Sequence, residues 1–327
     1  DAGRRFILPG TSIKLLITAQ KSFVENSPLG QSITLGRLND HVFHEAINSM
    51  EVYRASSFPK VADDLYAAAM GLPLHISEGL HLLIEGGDEL SGNMVDLVSV
   101  RINRLPSLAR KLLCIGALFG RKIPAKLLMH YAGDTPDLQD SLQVLVKRGF
   151  FIQQNPFTFH LSHKLYARVI PSLITSELQR EYHQSILQYL HQINANPYYL
   201  AYHTLKSGDL ETAVPLLEEA GALYEQEMDD FGAIQCLQNA YDIARISALG
   251  GTQLARFARL SAHLGDLYRY TQQLKIADTI LKEGLMFCED SPEAEAHILA
   301  SLARLTVDLN RDDPKSAATL INRAVRK

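Results

Sequence analysis

The sequence predicts a mainly α chain with one short strand pair in its interior, on three observations. Two aromatic-rich runs, Phe150–Gln153 and Phe157–Leu161, flank an Asn155-Pro156 turn and read as a hairpin. Three helical segments precede it, beginning near Met94, Pro124 and Thr135. After Pro171 helical spacing persists to the C-terminus. Small residues seven apart recur there as Ala213/Ala220, Ala233/Ala240, Ala277/Gly284 and Ala317/Ala324, at intervals of 20, 44 and 40 residues.

Before that core, Ser12–Gln20 reads as a short buried strand and Ile33–Leu35 as a second brief apolar run. A lone hydrophobic strand needs a sheet to join, so this stretch is expected to be the end of an α/β domain. Asp40–Tyr53, Phe58–Met70 and Leu74–Ile84 carry helical spacing, with Asn39 or Asp40 capping the first and Pro73 opening the third, where its missing N–H costs little. Gly86–Asn93 is the best linker candidate. The central unit has a first helix from Met94 to Leu118 broken near Pro106, a second from Pro124 to Tyr131 and a third from Thr135-Pro136 to Gly149. With the hairpin these make a winged helix, Phe150, Phe151, Phe157 and Phe159 serving wing and core packing. Ser162 is expected to cap the helix after the wing, and Pro171 to end or kink it. Leu205, Leu210, Leu216, Leu217 and Leu223 are expected core of the repeats. Leu264-Gly265-Asp266-Leu267-Tyr268 with Ala277 and Leu281 resembles the tetratricopeptide pattern, in units longer than its usual ~34 residues.

Composition bounds the function. Of 327 residues 46% are hydrophobic and 21% charged, as in globular chains. No apolar run approaches the roughly 20 residues that span a bilayer. Cys114, Cys236 and Cys288 sit in apolar helical patterns without metal-ligand spacing, which predicts buried free thiols and a cytoplasmic setting. The net charge of −4 divides into −5 for residues 1–100, +8 for 101–171 and −7 for 172–327. The basic block, with Arg101, Arg104, Arg110, Lys111, Arg121, Lys122 and Lys126, would face a phosphate, a nucleic acid or its own acidic neighbours. Duplex DNA is disfavoured because the third helix leads with Asp137 and Asp140, whereas phosphate attraction dominates DNA affinity.

No catalytic machinery emerges. A phosphate loop is absent, no Gly precedes a Lys, and neither His-Glu-x-x-His nor Gly-x-Ser-x-Gly occurs. His160 and His163 would need a third ligand to hold a metal. Neither catalytic residues nor a metal site are expected of this chain alone.

Five stretches resemble the STAND branch of the AAA+ signalling ATPases, found in multidomain bacterial regulators such as class III adenylate cyclases similar to soluble adenylyl cyclase, protein kinases and LuxR-type activators. Lys14–Thr18 resembles the final core strand, with Thr18 near the sensor-1 position and Gln20 where Arg is common. Gly71-Leu72-Pro73-Leu74 resembles the lid motif whose proline packs by adenine. Arg104–Gly116 with Gly120–Pro124 resembles the opening of the winged helix. Leu161–Leu165, continuing to Arg180–His183, resembles the segment after the wing, and Leu200–Asp209 the first repeat.

The resemblance implies residues 1–36 as the end of an α/β nucleotide-binding core, 37–93 as a helical lid, 94–171 as a winged helix and 172–327 as a TPR-like α-solenoid. It implies a regulatory and protein-interaction region of a nucleotide-gated signalling protein, with Thr18, Gly71, Pro73 and His163 at the nucleotide. His163 matches the histidine that reads the β-phosphate of ADP in the related NB-ARC proteins, with Lys164 where an Asp is usual; Pro171 stands where a Tyr is usual. ATP or ADP with Mg is implied only together with an upstream core. Implied partners are a protein or effector on the repeats, that core and an attached output domain, but neither nucleic acid nor membrane. A pure scaffold with a degenerate ATPase half and a winged-helix DNA-binding regulator are the alternatives.

Overall fold

The computed structural model describes residues 37–49, 58–88, 90–133, 135–288, 291–309 and 314–326. The predicted strands at Ser12–Gln20 and Ile33–Leu35, and Thr18 with them, lie outside the described residues. The described chain is mainly helical, and it divides into two compact units, Asp1–Leu97 and Val98–Lys327.

In the first unit α1 (Asp40–Ser49), α2 (Phe58–Ala69) and α3 (Pro73–Ile84) are short. Asn39 Oδ1 accepts from the Val42 N–H at 2.8 Å, so Asn39 is the cap of α1. Phe43, Ala62, Leu65, Ala69 and Ile76 form the core. Within the Gly86–Asn93 stretch, Gly87 and Ser91 make close contacts with α3. A Cβ on Gly87 would lie 2.4 Å from Leu82, and His75 Nε2 bonds the Ser91 carbonyl at 2.9 Å. The boundary between units falls inside α4 (Met94–Asn103).

The second unit opens with a helix–sheet region. Its hub is α5 (Ser107–Phe119), against which α6 (Ala125–Ala132), α7 (Asp137–Lys147) and α8 (Tyr166–Ser172) pack. The centre of α5 is buried from Leu112 to Leu118, and Gly116 lets it approach the sheet: an added Cβ would meet Ile123 and Phe151 at 2.9 Å. The hairpin is β2 (Phe151–Asn155) and β3 (Thr158–Leu161), and a third strand, β1 (Lys122–Pro124), completes a sheet of order β1-β3-β2. At three residues, β1 is too short for any periodicity to announce it; it pairs Ile123 with Phe159. Phe150, Phe151 and Phe159 are buried. Phe157 is not: it stands at the hairpin tip, 74% exposed, its N–H held by Asn155 Oδ1.

Ser162 does not cap a helix. Its hydroxyl donates to the Gly149 carbonyl, closing the base of the hairpin, and α8 starts only at Tyr166. Pro171 lies in the last turn of α8, which ends one residue later. Arg101, counted in the basic block of the sequence, is fully buried. Its guanidinium lies 4.4 Å from the centre of the Phe150 ring, donates to the Arg148 carbonyl and reaches the Tyr166 hydroxyl at 3.3 Å. One side chain thus joins α4, the end of α7 and the start of α8.

Among the described residues eight helices follow: α9 (Ser176–Gln192), α10 (Pro197–Ser207), α11 (Leu210–Gln226), α12 (Asp230–Leu249), α13 (Leu254–Tyr270), α14 (Leu274–Leu285), α15 (Pro292–Leu309) and α16 (Pro314–Val325). Each packs on the next, and α13 also on α15, the nearest-neighbour pattern of a solenoid. Thr175, Asn196, Asp209 and Asp229 cap α9 to α12 with side-chain oxygens. The small residues lie where helices meet closely. An added Cβ on Gly221 would meet Leu237 at 2.9 Å, one on Gly265 would meet Leu281 at 2.5 Å, and one on Gly284 would meet Ser261 at 2.3 Å. Leu217 is buried and Leu205, Leu216 and Leu223 are half-buried, but Leu210 is 46% exposed because it is the first residue of α11, directly after its cap.

Candidate functional site

The residues expected at a nucleotide fall on different units. Gly71 has φ +73°, and its carbonyl accepts from the Leu38 N–H at 2.8 Å. A Cβ there would lie 2.4 Å from the Leu38 oxygen, so glycine is required for the α2–α3 turn to approach the segment before α1. The Tyr66 hydroxyl donates to that same oxygen at 2.9 Å. Pro73 follows at the first position of α3. Gly71 and Pro73 therefore have an architectural duty in the first unit, while His163 belongs to the second.

His163 sits half-buried in the turn between β3 and α8. Its Nδ1 accepts from the Leu165 N–H at 3.0 Å. That bond fixes the tautomer: the neutral ring carries its proton on Nε2, which remains a donor for an anion. Lys164, beside it, is exposed.

The stack presents a polar face that the sequence did not single out. Ion pairs run from α11 to α13 and on to α15. Glu218 meets Arg256 at 3.7 Å and Glu225 meets His263 at 2.8 Å. On the next step Asp266 Oδ2 accepts from the buried Ser301 hydroxyl at 2.9 Å and from Arg304 at 3.1 Å, with His297 at 3.5 Å. Arg269 reaches Asp308 at 3.0 Å. Ser301 holds Asp266 in place, so Arg304 and His297, both about half exposed (51% and 53%), are presented outward from a fixed carboxylate. The signal in the sequence was the seven-residue spacing of Glu218/Glu225 and Arg256/His263, two turns of one helix face apart.

A second polar group joins α12 and α14. The Tyr241 hydroxyl donates to Glu283 at 2.6 Å and Arg245 Nε to the other oxygen at 2.5 Å. Burial opposes ionisation of Glu283, yet these two donors hold its carboxyl below the usual range. Beside it is an open groove of about 420 Å³, lined also by Gln238, Asp242 and Lys275. A groove of about 460 Å³ lies between α6, α7 and the hairpin, with Met129, Leu142, Val146, Lys147 and Phe159 on its walls.

Buried thiols and histidines complete the inventory. Cys114, Cys236 and Cys288 are buried and free, and desolvation pushes each up to about 11. His160 Nε2 bonds Gln154 rather than pairing with His163. Among the described residues no group of three or more His, Cys, Asp or Glu side chains is placed to hold a metal, and no helix is long and apolar enough to cross a membrane.

No family model matches the chain, and no curated protein matches it. Among solved structures the chain is similar to a signal transduction ATPase with numerous domains (STAND) protein with a tetratricopeptide repeat sensor from Pyrococcus horikoshii. The identity is 16% and the TM-score 0.43, over 89% of this chain and 48% of that one. The chain spans about half the length of that protein.

Proposed function

We propose that this chain is the regulatory and protein-interaction region of a nucleotide-gated signalling protein. In this reading residues 94–171 are a winged helix and 172–327 a TPR-like arm that senses a protein partner or effector. The observation that carries the interaction role is the ionic face of α11, α13 and α15, where a buried serine and a fixed Asp266 hold Arg304 and His297 outward. Such a face recognises a partner by charge and register, with the apolar surface kept for the stack itself.

The gate would be the turn after the wing. The Nε2–H of His163 supports the reading of a phosphate, since Nδ1 is already committed to the backbone of Leu165. Gly71 and Pro73, in the first unit, are the residues proposed by the adenine. The residues present fit the rim of a nucleotide site rather than its cradle, because the sequence has no phosphate loop and no Gly-Lys pair. ATP or ADP with Mg would therefore be held chiefly by a core supplied by a longer protein, and these residues would respond to it. Nucleotide closure would then bias an output domain through the arm.

The test is an ADP titration of a longer protein carrying that core, wild type against His163→Ala. The expected result is an affinity loss of about tenfold, the scale of one hydrogen bond to a charged group. Equal affinity removes His163 from the gate. If ADP does not bind the wild type, the scaffold reading, with a degenerate ATPase half, replaces this one. A DNA-binding role is disfavoured by Asp137 and Asp140 in the first turn of α7.

A further inference from the structure

The geometry points to an acid-sensitive latch, the His183–His203 pair, at the seam where the helical arm meets the helix–sheet region. This inference stands apart from the nucleotide reading and rests on no residue of it. His183 on α9 and His203 on α10 place their Nδ1 atoms 2.8 Å apart, and each side chain is 2% exposed. An Nδ1–Nδ1 bond holds one proton: one ring donates, and the other accepts with its lone pair and so carries its own proton on Nε2. A second proton on the accepting ring abolishes the bond and leaves two donors facing each other. The contact therefore admits at most one charge, carried by the donating ring on its Nε2, and burial opposes even that one.

The surroundings enforce neutrality. From α5 the ring of Phe119 stacks on His203; from α10 the edge of Tyr202 meets both imidazoles. The cation acting on the pair is Lys206, one turn beyond His203. Other titratable groups on the elements at this seam are Arg110, Lys111 and Cys114 of α5, Lys126, His130 and Tyr131 of α6, and Glu177, Arg180, Glu181, Tyr182, Tyr189 and His191 of α9; Glu181 acts on Tyr131 and Tyr182. Burial raises Cys114, Tyr131, Tyr182 and Tyr189, so these carry no charge in the acid range. The aromatic contacts Tyr131–Tyr182 and His130–Tyr189 make the rest of the seam. Among the described residues the groups that act on the two imidazoles are Lys206 and the other histidine, both of which disfavour the charged form.

The sign follows. Burial, and then Lys206, lowers His183 to about 4; burial, and then His183, lowers His203 to about 3. Released from the seam each returns toward 6.5. The latched state is at full strength above about pH 6.5 and weakens as pH falls toward 4, because the open state binds protons that the closed state refuses. Mild acid would free α9 and α10 from α5 and α6 while the more distant helices stay packed, changing the joint between arm and helix–sheet region.

Hydrogen exchange of this chain between pH 7 and pH 5, corrected for intrinsic rates, tests it. Amides of α9 and α10 should lose protection by at least ~10-fold more than those of α13 and α14. The double variant His183→Gln with His203→Gln keeps a donor and an acceptor but does not titrate, and should show no such loss. Lys206→Met, on an exposed residue, removes a cation that disfavours protonation in the closed state and should shrink the loss. An equal loss throughout the chain, or an undiminished loss in the Gln pair, overturns the latch. If the Gln pair does not fold, an acid response in Lys206→Met identical to wild type overturns it instead.

Discussion

The joint around the hairpin and the helical arm solve the same packing problem with different chemistry. From Gly149 to Pro171 the chain is held by polar groups inside apolar surroundings: Arg101 on the Arg148 carbonyl and Tyr166, Ser162 on the Gly149 carbonyl, His163 on the Leu165 N–H. The arm is held by glycine meeting leucine across helix pairs, Gly221 on Leu237 and Gly265 on Leu281, with ion pairs linking α11, α13 and α15 and a second polar group linking α12 and α14. Polar clasps depend on geometry and on protonation, so they can be switched; interlocked apolar surfaces are strong but insensitive to charge. The difference suits a joint that responds and an arm that stays rigid while it presents a face.

Substitutions separate the two. The largest effect is expected for Arg101→Met, which keeps the aliphatic length but withdraws the donor to the Arg148 carbonyl and Tyr166 and the cation over Phe150. Loss of a charged hydrogen-bond network in the interior should cost about 3 kcal/mol in denaturant unfolding, with exchange rising first in α8 and the hairpin. Gly284→Ala should cost about 2 kcal/mol, because its Cβ would lie 2.3 Å from Ser261 and 3.0 Å from Ile298, so both neighbours must shift; its effect should stay within α13 to α15. Asp266→Asn should change stability by under about 1 kcal/mol, since Arg304 and His297 are about half exposed. A partner bound to that face would nonetheless lose affinity, measurable by calorimetry once the partner is in hand.

How much of this was legible in the sequence follows the same division. Elements with a period were read well: the breaks at Pro106 and Pro171, the caps at Asn39 and the small-residue steps of the arm all rest on local steric rules. The Gly221/Leu237 and Gly265/Leu281 pairs, each sixteen residues apart, even state the packing. What escaped depends on contacts distant in sequence. Arg101 looks like any basic residue of a charged segment until a fold brings residues 148 to 166 around it. Ser162 has the right type and place for a helix cap, but the Gly149 carbonyl thirteen residues earlier takes its hydroxyl. Phe157 carried the aromatic signature of a strand and stands at a turn. Gly71 and Pro73 were singled out by the resemblance of Gly71-Leu72-Pro73-Leu74 to a lid motif, and the structure gives them a backbone duty in the first unit; the Asp266–Ser301–Arg304 group and the His183–His203 pair join helices whose partners no spacing announces.

The most direct test compares hydrogen exchange in a longer protein carrying the proposed nucleotide-binding core, with and without ADP. If the turn after the hairpin is the responsive joint, ADP protects amides from Ser162 through α8 and into α9, leaving α13 to α15 unchanged, and His163→Ala removes that protection. Protection spread evenly over the arm, or ADP binding that leaves the Ser162–α9 amides untouched, would contradict the division between a responsive joint and a rigid presenting arm.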